Sequence, residues 1–178
     1  MTVYRLTQVE DIIRFITGGM AEFTLYNGTT GINRRYKVRR ARRKENQTLA
    51  QLPYYVYYLK EYSNTEEYYW VAILEYDCGG FRLQYRQPGR NSSQAGRALV
   101  QYRIIEWFIG HLNDRSPFPD GFEFQHQGIC CYCGNIISAA KDRGRGYDNC
   151  KQYRPPAQLG LLDTGVGYGT GQSENHNN

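Results

Sequence analysis

Residues 130 to 150 read CCYCGNIISAAKDRGRGYDNC and hold four of the five cysteines of this 178-residue chain. Cys130 and Cys133 are separated by two residues, and Cys150 follows after sixteen more. A C-x2-C turn lets two thiolates converge on one ion, and a later ligand from another segment closes the cage. Zinc in a structural site takes four donors. The nearest nitrogen donor is His126, four residues before Cys130, so the expected metal set is His126, Cys130, Cys133 and Cys150. Asp148 and Cys131 are the alternatives for the fourth place. Cys131 stands beside Cys130 and would point away from a metal held by its neighbour, which makes it a bystander. An all-thiolate iron site would need Cys78, far off in sequence.

The chemistry of such a site is structural rather than catalytic. No HExxH pattern and no HxE with PCxxC is present, and a catalytic zinc needs an open position with a base beside it. The segment around the cysteines offers Phe122, Phe124, Ile129, Ile136 and Ile137 and little else apolar, too little to fold without a staple. The three histidines, His111, His126 and His176, form no ordered acid–base pair, and no nucleophile elbow or phosphate loop is found. The chemistry therefore leans away from an enzyme.

The second group with chemical potential is cationic. Net charge is +5, yet residues 1 to 60 carry eleven basic and four acidic side chains, +7, while the remainder carries eleven and thirteen, −2. Eight of the eleven residues in RRYKVRRARRK, positions 34 to 44, are arginine or lysine. Such a strip binds phosphates or an acidic protein surface. The candidates are Arg35, Lys37, Arg39, Arg42, Arg43 and Lys44.

What must position these residues is a sheet. AEFTLYNGTTGINRRYKVRRA alternates apolar and polar residues about a turn rich in glycine and asparagine, the pattern of a hairpin. With Phe23, Leu25, Tyr36 and Val38 inward, Arg35, Lys37 and Arg39 project from the opposite face. Arg34 and Arg40 share the parity of the core and belong near strand ends. A short helix in LTQVEDIIRFITGG precedes the hairpin, capped by Thr7 with Glu10 at the capping-box position. Strands follow from Tyr54, from Glu67 and in GGFRLQYR. A long helix, capped by Ser92 or Ser93, presents Leu99, Tyr102, Ile105, Ile109 and Leu112 along one broad face and packs across the sheet. Trp107 and Phe108 are packing residues of this helix, and Trp70 stabilises the sheet. SPFPDG ends it.

The predicted fold is α+β: a mostly antiparallel sheet with a packing helix over residues 1–117, and a small C-terminal zinc knuckle of treble-clef or ribbon type over 118–153. Residues 154–178, poor in large apolar side chains, read as a disordered tail. MTVYRLTQVED is unlike a signal peptide and no run of apolar residues suits a membrane helix, so the expected setting is the cytoplasm, without membrane association. Glu66 and Glu67 offer an acidic counterpart through which two copies could associate as a homodimer.

The order His126, Gly128, Cys130, Cys133 with Gly134, Ile136 with Ile137, then Gly146, Tyr147 and Cys150 resembles the small cysteine module catalogued as domain of unknown function 6011, found in many bacteriophage and plasmid proteins. The helix ending in glycine, the TG turn before an arginine-rich strand and the tryptophan-bearing helix are similar to what precedes that module. Cys131 and Tyr132 stand where the module has small and basic residues, and Asp148 and Asn149 where it has a glycine-proline-like pair. The resemblance implies an accessory protein of a phage or mobile element in a host cell and brings no activity with it. Two functions fit: nucleic-acid binding through the basic strand, or inhibition of a host defence or nucleic-acid-processing complex through an acidic surface of that partner.

Overall fold

The computed structural model describes residues 3–43, 52–59, 67–77, 79–86, 95–136 and 150. Alternating polarity sets the first hairpin: β-strands Met20–Asn27 (β2) and Ile32–Arg40 (β3) pair antiparallel, with Phe23 opposite Tyr36 and Ala21 opposite Val38. The Asn27 side-chain oxygen closes the turn by accepting the Thr29 and Thr30 N–H groups at 3.0 and 3.1 Å. Gly31 makes the exit at φ +69°, a conformation that suits glycine.

The sheet continues as a meander through Tyr54–Leu59 (β4), Tyr68–Asp77 (β5) and Gly80–Tyr85 (β6). At the other side Tyr4–Leu6 (β1) and Phe122–His126 (β7) complete it. The order is β1-β7-β2-β3-β4-β5-β6 and every pair is antiparallel. β7 thus lies between β1 and β2, so the lead-in to the cysteines, which the sequence places in a separate zinc module, is a strand of the main sheet. A bulge between Val56 and Tyr57 leaves Val71 as an extra residue in β5, fully buried.

Both helices pack on one face. Val9–Thr17 (α1) buries Ile12, Ile13, Phe15 and Ile16. Gln8, rather than Thr7, holds its N-cap position and makes no side-chain cap bond; Glu10 and Asp11 in the first turn supply negative charge to the amino end instead. At the other end Arg40 Nη2 and the Tyr54 hydroxyl both donate to the Thr17 carbonyl, so the last residue of β3 caps the helix. Ala95–Asn113 (α2) buries Ala98, Ile105, Phe108, Ile109 and Leu112, while Leu99, expected inward, is exposed. Trp107, 41% exposed, packs its ring edge-on against Phe122 at 5.0 Å, and Phe108 is fully buried. Tyr36 anchors α2 to the sheet by donating its hydroxyl to Gln101 Oε1 at 2.9 Å, and burial pushes that phenol well above its ordinary pKa. Asn113 pairs with both backbone groups of Phe81 on β6, at 2.7 and 2.8 Å. Among the described residues no helix is long and apolar enough to cross a membrane.

The body and the cysteine segment meet at Gly18. The Met20 N–H donates to the Cys131 carbonyl at 2.7 Å. A Cβ at Gly18 would stand 2.6 Å from that oxygen and 2.7 Å from Cys131 Sγ, so the seam closes only around a glycine. Cys131 is fully buried and belongs to the main core. Gly18→Ala should therefore lower stability by about 1–3 kcal/mol, the usual cost of overpacking. Chemical denaturation measures the loss, and faster hydrogen exchange at the Met20 amide would localise it.

Candidate metal centre and cationic sheet face

After β7 the chain turns at Gly128, φ +71°, and forms a tight loop. Cys130 N–H donates to the Asn135 carbonyl at 2.9 Å, Gly134 N–H donates to the Cys130 carbonyl at 2.8 Å, and Ile129 bridges Ile136. Gly134, φ +73°, permits the return. This loop turns the Cys130 and Cys133 thiols the same way, and Cys150 comes back to meet them.

The sulfurs of Cys130, Cys133 and Cys150 lie within 4.8 Å of one another. A tetrahedral ion with metal–sulfur bonds near 2.3 Å sets sulfurs roughly 3.8 Å apart, so the three can close on a metal with a small contraction. The two thiols of the loop are shifted in opposite directions. Burial pushes the Cys130 thiol up to about 12. Burial acts against Cys133 too, but hydrogen bonds from the Asn135 backbone and from the Cys130 and Cys150 thiols outweigh it and hold Cys133 below the ordinary thiol value.

His126 is not part of this cluster. It is 2% exposed, sandwiched by Tyr4 at 5.2 Å and Phe15 at 4.8 Å between ring centroids, and its Nδ1 accepts the Gly128 N–H at 3.3 Å. An Nδ1 used as acceptor places the ring proton on Nε2 in the neutral tautomer, which suits packing better than ligation. Cys131 faces the core at Gly18. Asp148, Cys78 and Lys44 lie outside the described residues, as do the caps expected at Ser92 or Ser93, the tail and Glu66. Glu67 is exposed and accepts from the Tyr69 hydroxyl at 3.1 Å.

The second site is the sheet face that neither helix covers. Strand parity puts Arg35, Lys37 and Arg39 there, as expected, but they are not a bare row of charge. Glu22, opposite Lys37 on β2, receives all three: Arg35 at 2.7 Å, Lys37 at 3.4 Å and Arg39 at 3.6 Å. The Tyr68 hydroxyl donates to the same carboxylate at 2.9 Å, and its ring lies 3.6 Å from the Lys37 ammonium. Arg39 also donates to the Ala21 carbonyl at 2.8 Å; burial lowers its pKa, opposed by Glu22. Three cations and one carboxylate leave +2. Arg42 and Arg43 are exposed just beyond β3. Arg40 is directed to the helix side, and Arg34 shares its parity.

Sequence reasoning missed Glu22 as the hub, although its parity in β2 carried the signal. It also missed Arg86, whose guanidinium carbon lies 3.9 Å from the Trp70 ring centroid. Nothing in the residue order announces that contact, which depends on the bulge at Val71 and on the Arg86 N–H donating to the Val71 carbonyl at 2.9 Å.

Three outcomes follow from these geometries. Cys130→Ser or Cys133→Ser should cost about one equivalent of bound metal by elemental analysis. Because Cys130 must lose a proton to ligate, metal uptake should release protons, and apparent affinity should fall by at least about tenfold per pH unit on acidification through neutrality. Glu22→Ala strands three half-buried cations and should destabilise the fold by about 2 kcal/mol in denaturant titrations, whereas neutralising Glu22, Arg35, Lys37 and Arg39 together to glutamine should cost less. Compared with family models, curated proteins and solved structures, the chain matches none.

Proposed function

We propose that this chain is a phage or mobile-element accessory protein that binds nucleic acid through the uncovered face of its sheet, with a structural zinc ion holding the cysteine segment to the body. The observation that carries the reading is one transverse row on that face. Glu22, Lys37, Tyr57 and Trp70 stand opposite one another in register across β2, β3, β4 and β5, and Arg86 covers Trp70. Two rings flanked by cations on an open sheet suit a polyanion that also carries π-faces.

The zinc assignment draws on the donor set. Three thiols from C-x2-C and a distant cysteine favour a borderline-soft dication with no geometric preference of its own. A fourth donor from outside the trio would complete the tetrahedron. A structural role is supported by the thiols' neighbours Cys131 and Tyr132, which pack on the core and so tie the loop to the body. The mobile-element setting is supported by the likeness of residues 126–150 to domain of unknown function 6011.

Glu22 moderates the field without cancelling it. Its three partners retain 21–28% of their side-chain exposure, and Arg86 and Arg42 add charge nearby. With about three phosphates neutralised, the slope of log affinity against log salt should be about −2 to −3. Fluorescence anisotropy with labelled oligonucleotides, single-stranded and duplex, checks this. The quadruple glutamine variant of Glu22, Arg35, Lys37 and Arg39 should flatten the slope and lose about tenfold or more in affinity at low salt. Retention of full affinity by that folded variant would overturn the assignment of this face.

A further inference from the structure

The rings in the transverse row are placed for more than holding cations still. Trp70 is fixed from two sides: its Nε1 donates to the Ala72 carbonyl at 2.9 Å, and Tyr55 meets it edge-on at 5.1 Å and 77°. An indole held this way has little rotamer freedom left to lose on binding. Arg86, over the ring, is exposed and makes no ion pair among the described residues. It contrasts with Arg35, Lys37 and Arg39, whose charge is shared with Glu22. Tyr57 lies between Lys37 and Trp70 in the register.

We propose that the row Lys37, Tyr57, Trp70 and Arg86 is a stacking platform for unpaired bases, so that the nucleic acid bound is single-stranded; the proposal rests on the nucleic-acid reading given above. A duplex keeps its base faces inside and offers this surface only phosphates, for which cations suffice. Rings set between the cations are of use to exposed π-faces, and bases stack on aromatic rings and on guanidinium planes alike. The dimensions agree. Lys37 and Arg86 are three strand spacings apart, about 14 Å, a span of several nucleotides. Tyr55 and Tyr57 follow one another on the same face of β4, about 7 Å apart along the strand, so aromatic rings line the platform along β4 as well as across it. Arg86 then serves both ends of the recognition, its plane toward a base and its charge toward a phosphate.

The test compares an oligothymidylate of about 12 nucleotides with a blunt duplex of the same length, at matched salt, using the full chain in a Trp107→Phe background so that Trp70 is the emitting tryptophan. The single strand should bind about tenfold or more tightly than the duplex, and its binding should quench Trp70 emission. Tyr57→Leu and Arg86→Lys, which keeps the charge and loses the guanidinium plane, should each weaken single-strand binding by about tenfold while leaving duplex binding within about twofold. Equal or tighter binding of the duplex, or saturation without a change in Trp70 emission, would overturn the stacking platform and leave the broader nucleic-acid reading standing. Binding of polyglutamate with no binding of either oligonucleotide would overturn both in favour of an acidic protein partner.

Discussion

The burial of Phe124 organises the molecule. Its ring stacks on Phe23 at 4.7 Å and on Phe108 at 5.8 Å and meets Phe15 edge-on at 5.6 Å. One side chain thereby joins β2 and both helices, and at 1% exposure it has no alternative place in water. To put Phe124 there, β7 must insert between β1 and β2. The backbone groups of three strands are then satisfied together, and the chain leaves the sheet at His126 already aimed at Gly18. The cysteine loop is therefore not a free appendage: its position is dictated by an aromatic residue six positions before the first thiol.

The two faces of the sheet solve opposite problems. The covered face excludes water with Phe, Ile, Val and Leu, and admits tyrosine where the hydroxyl finds a partner, as Tyr36 does at Gln101. The open face half-buries its charges and ties them down, with Glu22 as a common counterion and the Tyr68 and Trp70 rings against Lys37 and Arg86. Its cations lose conformational freedom during folding rather than during association. A surface prepared in this way contributes more to affinity per charge than one whose arginines must be ordered by the ligand.

Much of this was legible in the residue order. Period-two alternation located both strands of the first hairpin and the parity of Arg35, Lys37 and Arg39, because a single face of an antiparallel strand must be apolar. The C-x2-C spacing and Cys150 were readable because ligand geometry is local to a turn plus one return. What stayed hidden depended on distant partners. β1 and β7 are three and five residues long, too short for periodicity to speak, and His126 resembled a ligand by spacing while its ring packs between Tyr4 and Phe15. Leu99 fitted the helical stripe, but Leu99, Val100 and Trp107 put apolar residues on the exposed side of α2 as well, so its pattern could not say which side meets the sheet. Thr7 was a plausible cap by type, and the backbone chose Gln8 one step later.

The insertion of β7 also bears on how the chain reaches its final form. Leu6 pairs with Phe124, so the opening strand has to wait for a partner made after the whole meander and α2. Closing that loop is among the largest entropic steps available to a chain of this size, and proteins dominated by such separations fold slowly. The meander β2 to β6 can assemble from neighbours alone, while β1 and the slot for β7 stay open. The N-terminal edge is therefore joined by the most distant pairings in the sheet, up to Tyr4 with His126.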